Sequence, residues 1–209
     1  VWGQFLDHDT DLVPLQGHSG ETVNIPIPPD DTVFFPGQEI PVTRSVYDSA
    51  TGTSTSNPRW HRNAITSWID GSNVYGGSSL DPNNGEDRAD WLRTGTGGLM
   101  QTSLYAGQHF LPTKDTPADG PHMDGEDGIF DAGKKPFIAG DVRANEQPTL
   151  TAMHTLFVRE HNRIASSIDS HLGGLPADPG QRDETIFQMA RKIVGAQIQA
   201  ITYNEFLPA

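Results

Sequence analysis

The sequence predicts a mainly α fold, in which a few helices carry long irregular loops with little or no sheet. Three observations point there. Apolar residues recur at helical spacing through two long stretches near the C-terminal end. The 22 glycines and 16 prolines among 209 residues crowd into the segments between helix candidates. Only 34% of the residues are hydrophobic, which suits a modest packed core within much irregular chain. This length holds one domain or two small ones.

In chain order, residues 1–10 read as the end of a helix. Residues 11–60 are loop-rich, with turn formers in "PLQGHSGETVNIPIPPDD" and "DSATGTSTSNPR", and "TVFF" reads as a short strand. Residues 61–76, "HRNAITSWIDGSNVYG", form a denser segment. Residues 77–140 return to loop, except for a short helix in "DRADWLRT". From about residue 145 the character changes. "NEQPTLTAMHTLFVREHNRIASSIDSHL" predicts a long helix, with Leu150, Met153, Leu156, Phe157, Ile164 and Ile168 at helical spacing. Pro148 suits its first turn and "GGLPADPG" ends it. "DETIFQMARKIVGAQIQAITYNEFL" predicts a second, with Ile186, Met189, Ile193, Ile198 and Ile201 on one side.

Composition excludes several chemistries. With 27 acidic against 14 basic residues the formal charge is -13, and no Lys/Arg cluster exists to hold phosphates, so nucleic acid is not an expected partner. The absence of cysteine excludes disulfides, zinc thiolate sites, iron–sulfur clusters and a thiol nucleophile. No run approaches the ~20 apolar residues of a membrane span. The chain opens at Val1 rather than methionine, so it is expected to be part of a longer protein, and the lack of a leader is uninformative.

Four constellations carry potential chemistry. Asp7, Asp9 and Asp11 alternate as in a calcium loop, but the glycine and glutamate that an EF-hand needs are replaced by Leu12 and His18. "DPNNGED" and "DGEDGIFD" fail the same test. On a helix, Asp7, His8 and Asp9 point in three directions, while Gln4 lies one turn before His8 on its face. That arrangement suits an acid–base histidine with a hydrogen-bonding companion, or simply an amphipathic helix end with surface acids.

In "TSWIDGS", Thr66, Trp68 through its carbonyl, Asp70 and Ser72 are spaced by two. An extended segment would put all four on one side. Oxygen donors of this kind suit calcium if another acid joins them, Asp9 being a candidate; otherwise they are the polar face of a strand. In "AGDVRANEQ", Arg143 and Glu146 face the same space at the start of a helix that Asn145 could cap. They form either a surface ion pair or an Arg aimed at a substrate oxygen with a carboxylate on a cofactor. His154 and His161, seven apart, lack the spacing of a zinc protease and read as packed, hydrogen-bonded helix histidines.

Taken together and in order, "WGQFLDHDTDL", "TSWIDGSNVYG", "GDVRANEQPTLTAMHTLFVREHNRIA" and "ARKIVGAQIQAITYNEFLP" closely resemble the animal-type haem peroxidase superfamily. The likeness is dense over residues 1–12, 61–76 and 137–208. It implies that His8 is the distal histidine, Gln4 the distal glutamine and Arg143 the distal arginine. It further implies haem b ester-linked through Asp7 and Glu146, and calcium held by Asp9, Thr66, Trp68, Asp70 and Ser72. The implied activity is oxidation of halides, thiocyanate or phenolic donors by hydrogen peroxide through a ferryl haem, in a secreted enzyme of the response to oxidative stress.

Two departures qualify the likeness. Gln147 stands where some members carry a haem-linked methionine, which argues against a sulfonium link and against chloride as substrate. No residue matches the proximal histidine, so residues 1–209 are expected to be a partial domain carrying the distal half of the site. The lack of cysteine suggests a bacterial relative. The alternatives are a fatty-acid dioxygenase of the same superfamily, or a calcium-stabilised adhesion module without catalysis.

Overall fold

The computed structural model describes residues 1–14, 20–76 and 85–209, with 85–87 described for the backbone alone. His18 of the first acidic run and residues 81–84 of "DPNNGED" lie outside the described residues. The chain divides into two compact units, Val1–Asp11 with Ile65–Ala209, and Leu12–Ala64.

The smaller unit is loop held by a minimal antiparallel ladder of β1 (Ile25–Pro26) and β2 (Glu39–Ile40), with a further bridge between Thr22 and Thr43. The strand expected at "TVFF" does not form. Asp31 Oδ1 accepts from the Val33 and Phe34 N–H groups, each at 2.7 Å, and curls the segment into a turn. Val33 and Phe35 are exposed as a result.

The larger unit is mainly α, as predicted. It comprises α1 (Trp2–Thr10), α2 (Ser72–Tyr75), α3 (Gly85–Trp91), α4 (Glu126–Asp131), α5 (Pro148–His171) and α6 (Pro179–Ile201). A two-stranded ribbon, β3 (Ser103–Tyr105) with β4 (Gln108–Phe110), is its small sheet. Two capped starts define the long helices. Pro148 opens α5 behind Gln147, whose side chain accepts from Thr149 N at 3.1 Å. Pro179 opens α6 behind Asp178, which accepts from Gln181 N at 2.9 Å. The cap expected at Asn145 is thus Gln147. Asn145 instead spans the chain, donating to Phe137 O and accepting from Phe137 N.

The two long helices pack against each other. Leu150, Phe157, Val158 and Ile164 of α5 and Ile186, Phe187, Ala190, Val194 and Ile198 of α6 form the core, each fully or nearly buried. Burial of side chains this size stabilises by about 1.5–3 kcal/mol each. The apolar stripes read from the sequence are wider than the buried faces: Leu156 is 55% and Ile193 43% exposed. The helix α1 joins this core through Phe5, whose ring stacks on Phe157 with centroids 5.1 Å apart.

One close backbone approach sets the site. A Cβ at Gly140 would lie 2.4 Å from Gly76 N and 2.6 Å from Tyr75 N. Only glycine lets the segment before Arg143 lie directly on α2. Arg88 reinforces the same corner, donating to Ala139 O at 3.2 Å and to His122 O at 2.5 Å.

Candidate active site

The expectation that α1 serves three directions holds. Gln4 and His8, one turn apart, both reach the carboxylate of Glu146. Gln4 Nε2 donates to Glu146 Oε2 at 2.8 Å, and His8 Nε2 lies 3.8 Å from the same oxygen. Asp7 is exposed, and among the described residues its carboxylate makes no hydrogen bond or ion pair. Asp9, fully buried, turns away from both toward α2.

Around His8 the structure brings two carboxylates and a guanidinium together. Asp141 Oδ1 lies 3.5 Å from His8 Nδ1, opposite Glu146. The imidazole is 4% exposed, and its Nδ1 is buried without a hydrogen bond. Burial lowers the His8 pKa below its ordinary value, with Arg143 acting in the same sense and the Asp141, Glu146 and Asp7 carboxylates opposing. A histidine so placed is neutral at neutral pH and able to accept a proton.

Arg143 does not pair with Glu146, as the sequence spacing suggested. The turn before α5 points the two side chains apart in partner choice. Arg143 Nε and Nη2 donate to Asp141 Oδ1 and Oδ2 at 2.9 and 2.8 Å, and Nη2 lies 3.5 Å from His8 O. Glu146 is left to Gln4. Gln147 completes the set, donating to Gln4 Oε1 at 2.9 Å while it caps α5.

The oxygen cluster also assembles, though not on an extended segment. Residues 67–71 bend, Gly71 adopts a left-handed conformation (φ 77), and Ser72 begins α2. Asp9 Oδ2 accepts from Gly71 N at 3.0 Å, and Asp9 Oδ1 accepts from Ser72 Oγ at 3.0 Å and Asn73 N at 3.1 Å. Thr66 Oγ1 lies 3.2 Å from Asp70 Oδ2 and 3.5 Å from Trp68 O, and Asp70 Oδ1 accepts from Ser72 N at 3.0 Å. Burial raises the Asp9 pKa, and the Asp70 charge adds to that.

His154 and His161 are both fully buried. His161 fits the packed, hydrogen-bonded expectation: Nδ1 meets Tyr75 Oη at 2.9 Å and Nε2 meets Gly98 O at 2.8 Å. His154 departs from it. Its ring packs edge-on against Phe5 at 5.1 Å, and among the described residues neither nitrogen has a hydrogen bond of good geometry, the Asn73 backbone making only a weak approach. Neither side chain is available to a ligand outside the core.

The family profile of the animal haem peroxidases matches residues 1–209, the whole chain. The chain belongs to the animal haem peroxidase family. A human peroxidasin homolog is 38% identical over 234 residues, covering 99% of this chain and 15% of its own length. Peroxidase A from Dictyostelium discoideum superposes with a TM-score of 0.77 at 29% identity, over 100% of this chain and 39% of that one. A fatty acid alpha-dioxygenase from Arabidopsis thaliana shares the fold, with a TM-score of 0.64 at 22% identity over 96% of this chain and 25% of its own. The chain spans between 14% and 29% of the length of the curated relatives it matches.

Family membership implies haem as cofactor, and the residues present fit it. His8, Gln4 and Arg143 converge, and Asp7 offers an exposed carboxylate. The Asp9 cluster fits a hard divalent cation by its donors: two carboxylates, two hydroxyls and a carbonyl, all oxygen. Among the described residues no three acidic, histidine or cysteine side chains are placed to hold a metal ion together, so any cation site here relies on hydroxyl and carbonyl oxygens.

Three residues in this site were not singled out as site residues from the sequence. Asp141 had a signal, since an Asp two residues before Arg143 can accept from that residue's own N–H, as it does at 2.9 Å. Asn73 had none: its backbone N–H bonds Asp9, while its side chain donates to Phe5 O at 2.7 Å and ties α2 to α1. Gln147 was noted only as a departure, and its contact with Gln4 spans the whole intervening chain.

Proposed function

We propose that this chain carries the distal side of a haem peroxidase site that reduces hydrogen peroxide. The observation that carries the proposal is the convergence on one buried, neutral imidazole of Gln4, Glu146 and the Arg143–Asp141 pair. His8 Nε2 takes the proton of a bound peroxide and returns it to the departing oxygen. Arg143, half-buried beside it, stabilises the charge that develops on that oxygen. Gln4 donates a hydrogen bond at the same place. Haem, when bound, supplies the redox chemistry, and the chain supplies geometry and proton transfer.

Asp7 and Glu146 are the residues that would hold haem covalently, by ester bonds. Glu146 also accepts the Gln4 Nε2 hydrogen bond. Asp9, Asp70, Thr66, Ser72 and the Trp68 carbonyl would hold calcium and so fix the backbone beside His8. The reading extends to halide, thiocyanate or phenol as reductant and to an extracellular location, both of which rest on family resemblance. No helix among the described residues is long and apolar enough to cross a membrane.

The test is the haem-loaded protein with peroxide and a reductant. Peroxide-dependent oxidation of iodide and of a phenol is the expected result. Calcium binding with no haem absorption band would overturn the proposal in favour of a structural calcium module. Oxygenation of a fatty acid without peroxidase turnover would favour the dioxygenase alternative.

A further inference from the structure

Asp141 is a buried carboxylate at the meeting point of the two distal side chains. It is 4% exposed, and its oxygens receive three N–H groups of Arg143: the backbone N at 2.9 Å, Nε at 2.9 Å and Nη2 at 2.8 Å. Removing a carboxylate from water costs several kcal/mol unless partners compensate. A paired, planar contact of this kind fixes the guanidinium in direction as well as in place. It occupies Nε and Nη2, and among the described residues Nη1 makes no hydrogen bond, which leaves that group for an incoming oxygen. The same Oδ1 lies 3.5 Å from His8 Nδ1, a nitrogen with no other partner.

We propose that Asp141 is the positioning residue of the distal pair, aiming the Arg143 guanidinium and selecting the His8 tautomer that carries its proton on Nδ1. The inference rests on the peroxidase reading above. A carboxylate beside Nδ1 favours the N–H at that nitrogen and leaves the Nε2 lone pair to receive a proton. On the other side of the ring a second carboxylate competes, because Glu146 Oε2 lies 3.8 Å from Nε2. An ester at Glu146 removes that charge and leaves Asp141 as the carboxylate facing the ring. Haem linkage and tautomer choice are therefore coupled through one side chain on each face of His8.

The closeness of Asp141 to both groups follows from the backbone. The contact of Gly140 with Tyr75 and Gly76 presses residue 141 against α2. The bond from Asp124 N to Val142 O, at 3.0 Å, holds the segment from its other side. The carboxylate therefore cannot withdraw without moving packed backbone.

The experiment uses haem-loaded wild type, Asp141→Asn, Asp141→Ala and Asp141→Glu, with Arg143→Ala as reference. The first readout is the stretching frequency of carbon monoxide on the reduced haem, which reports the electric field above the iron. The second is the rate of reaction with peroxide. Asp141→Asn and Asp141→Ala should move the stretch in the same direction as Arg143→Ala and slow the peroxide reaction roughly 10–100-fold. Asp141→Glu should recover part of both.

A lowered unfolding temperature with the stretch at its wild-type value would make Asp141 a structural residue only and overturn the inference. A wild-type holoprotein that does not react with peroxide would overturn the peroxidase reading instead. The carbon monoxide stretch would then still decide whether Asp141 aims Arg143.

Discussion

Ser72 Oγ lies 3.0 Å from Asp9 Oδ1 and 3.2 Å from Asp9 O, so the residue next to His8 is clamped, side chain and main chain, to the start of α2. The oxygen cluster and the imidazole therefore share one rigid helix end. Whatever loosens the first disturbs the second.

Asp9→Ala removes the acceptor of the Gly71 and Asn73 N–H groups and leaves buried donors unpaired. It should lower stability by roughly 2–4 kcal/mol, measured by denaturant unfolding. It should also slow the reaction with peroxide, although Asp9 itself faces away from His8. An Asp9→Ala protein of wild-type stability would break the link between the two sites.

Calcium removal has a pH signature. Without a cation, the raised pKa of buried Asp9 means that folding favours its protonated form. Stability from this group is present below the ordinary carboxylate pKa and is lost as pH rises through the higher folded value. A bound divalent cation favours the ionised form. The gain in unfolding temperature from calcium over chelator should therefore grow from pH 4 to pH 7, as read by calorimetry. A gain that is constant with pH, or absent, would remove calcium from the Asp9 cluster.

Gly140→Ala forces a Cβ into the backbone of Val74 and Tyr75, where nothing flexible can yield. The cost should be roughly 1–3 kcal/mol or more. Because Asp141 is next in sequence, peroxide reactivity should fall with stability. Thermal unfolding and stopped-flow kinetics on the same samples check both halves.

His154 and His161 predict the acid limb of stability. Burial pushes each down to about 4. Between that value and the ordinary 6.5 the unfolded chain binds more protons than the folded one, so stability rises with pH across this window and is fully present above it. As pH falls from 6.5 to 4 the two together should remove several kcal/mol. His161→Gln should flatten this slope in denaturant titrations at stepped pH. An unchanged slope in that variant would mean that His161 does not control it.

The ester assignment has its own test. Haem should stay with the wild-type chain in acidified organic solvent and be released from the Asp7→Ala, Glu146→Ala double variant. Retention by that variant would exclude these two carboxylates as the links.

The long helices were legible in the sequence because apolar periodicity over more than twenty residues leaves little choice, and because Pro148 marks the start of the first; the second begins at Pro179, four residues before the stretch "DETIF" where the periodicity placed it. The sharing of one face by Gln4 and His8 was legible for the same reason. The path of residues 66–72 was not. Its donors converge through the left-handed Gly71 and a helix start at Ser72, and alternation by two mimicked an extended strand. The choice of Asp141 over Glu146 by Arg143 also escaped a helix-spacing argument, since these residues precede α5 in a turn. Resemblance to the family named the roles of individual residues, and the fold then placed those residues around common points. Asn73, which ties α1 to α2 through its own backbone and side chain, carried no pattern that a single sequence could show.

The most direct test of the account is the second-order rate of reaction of the haem-loaded protein with hydrogen peroxide, compared between wild type and His8→Ala. The account predicts a loss of roughly 10²–10⁴-fold, with the haem still covalently held. An unchanged rate in His8→Ala would contradict the assignment of His8 as the proton acceptor, and with it the reading of this site.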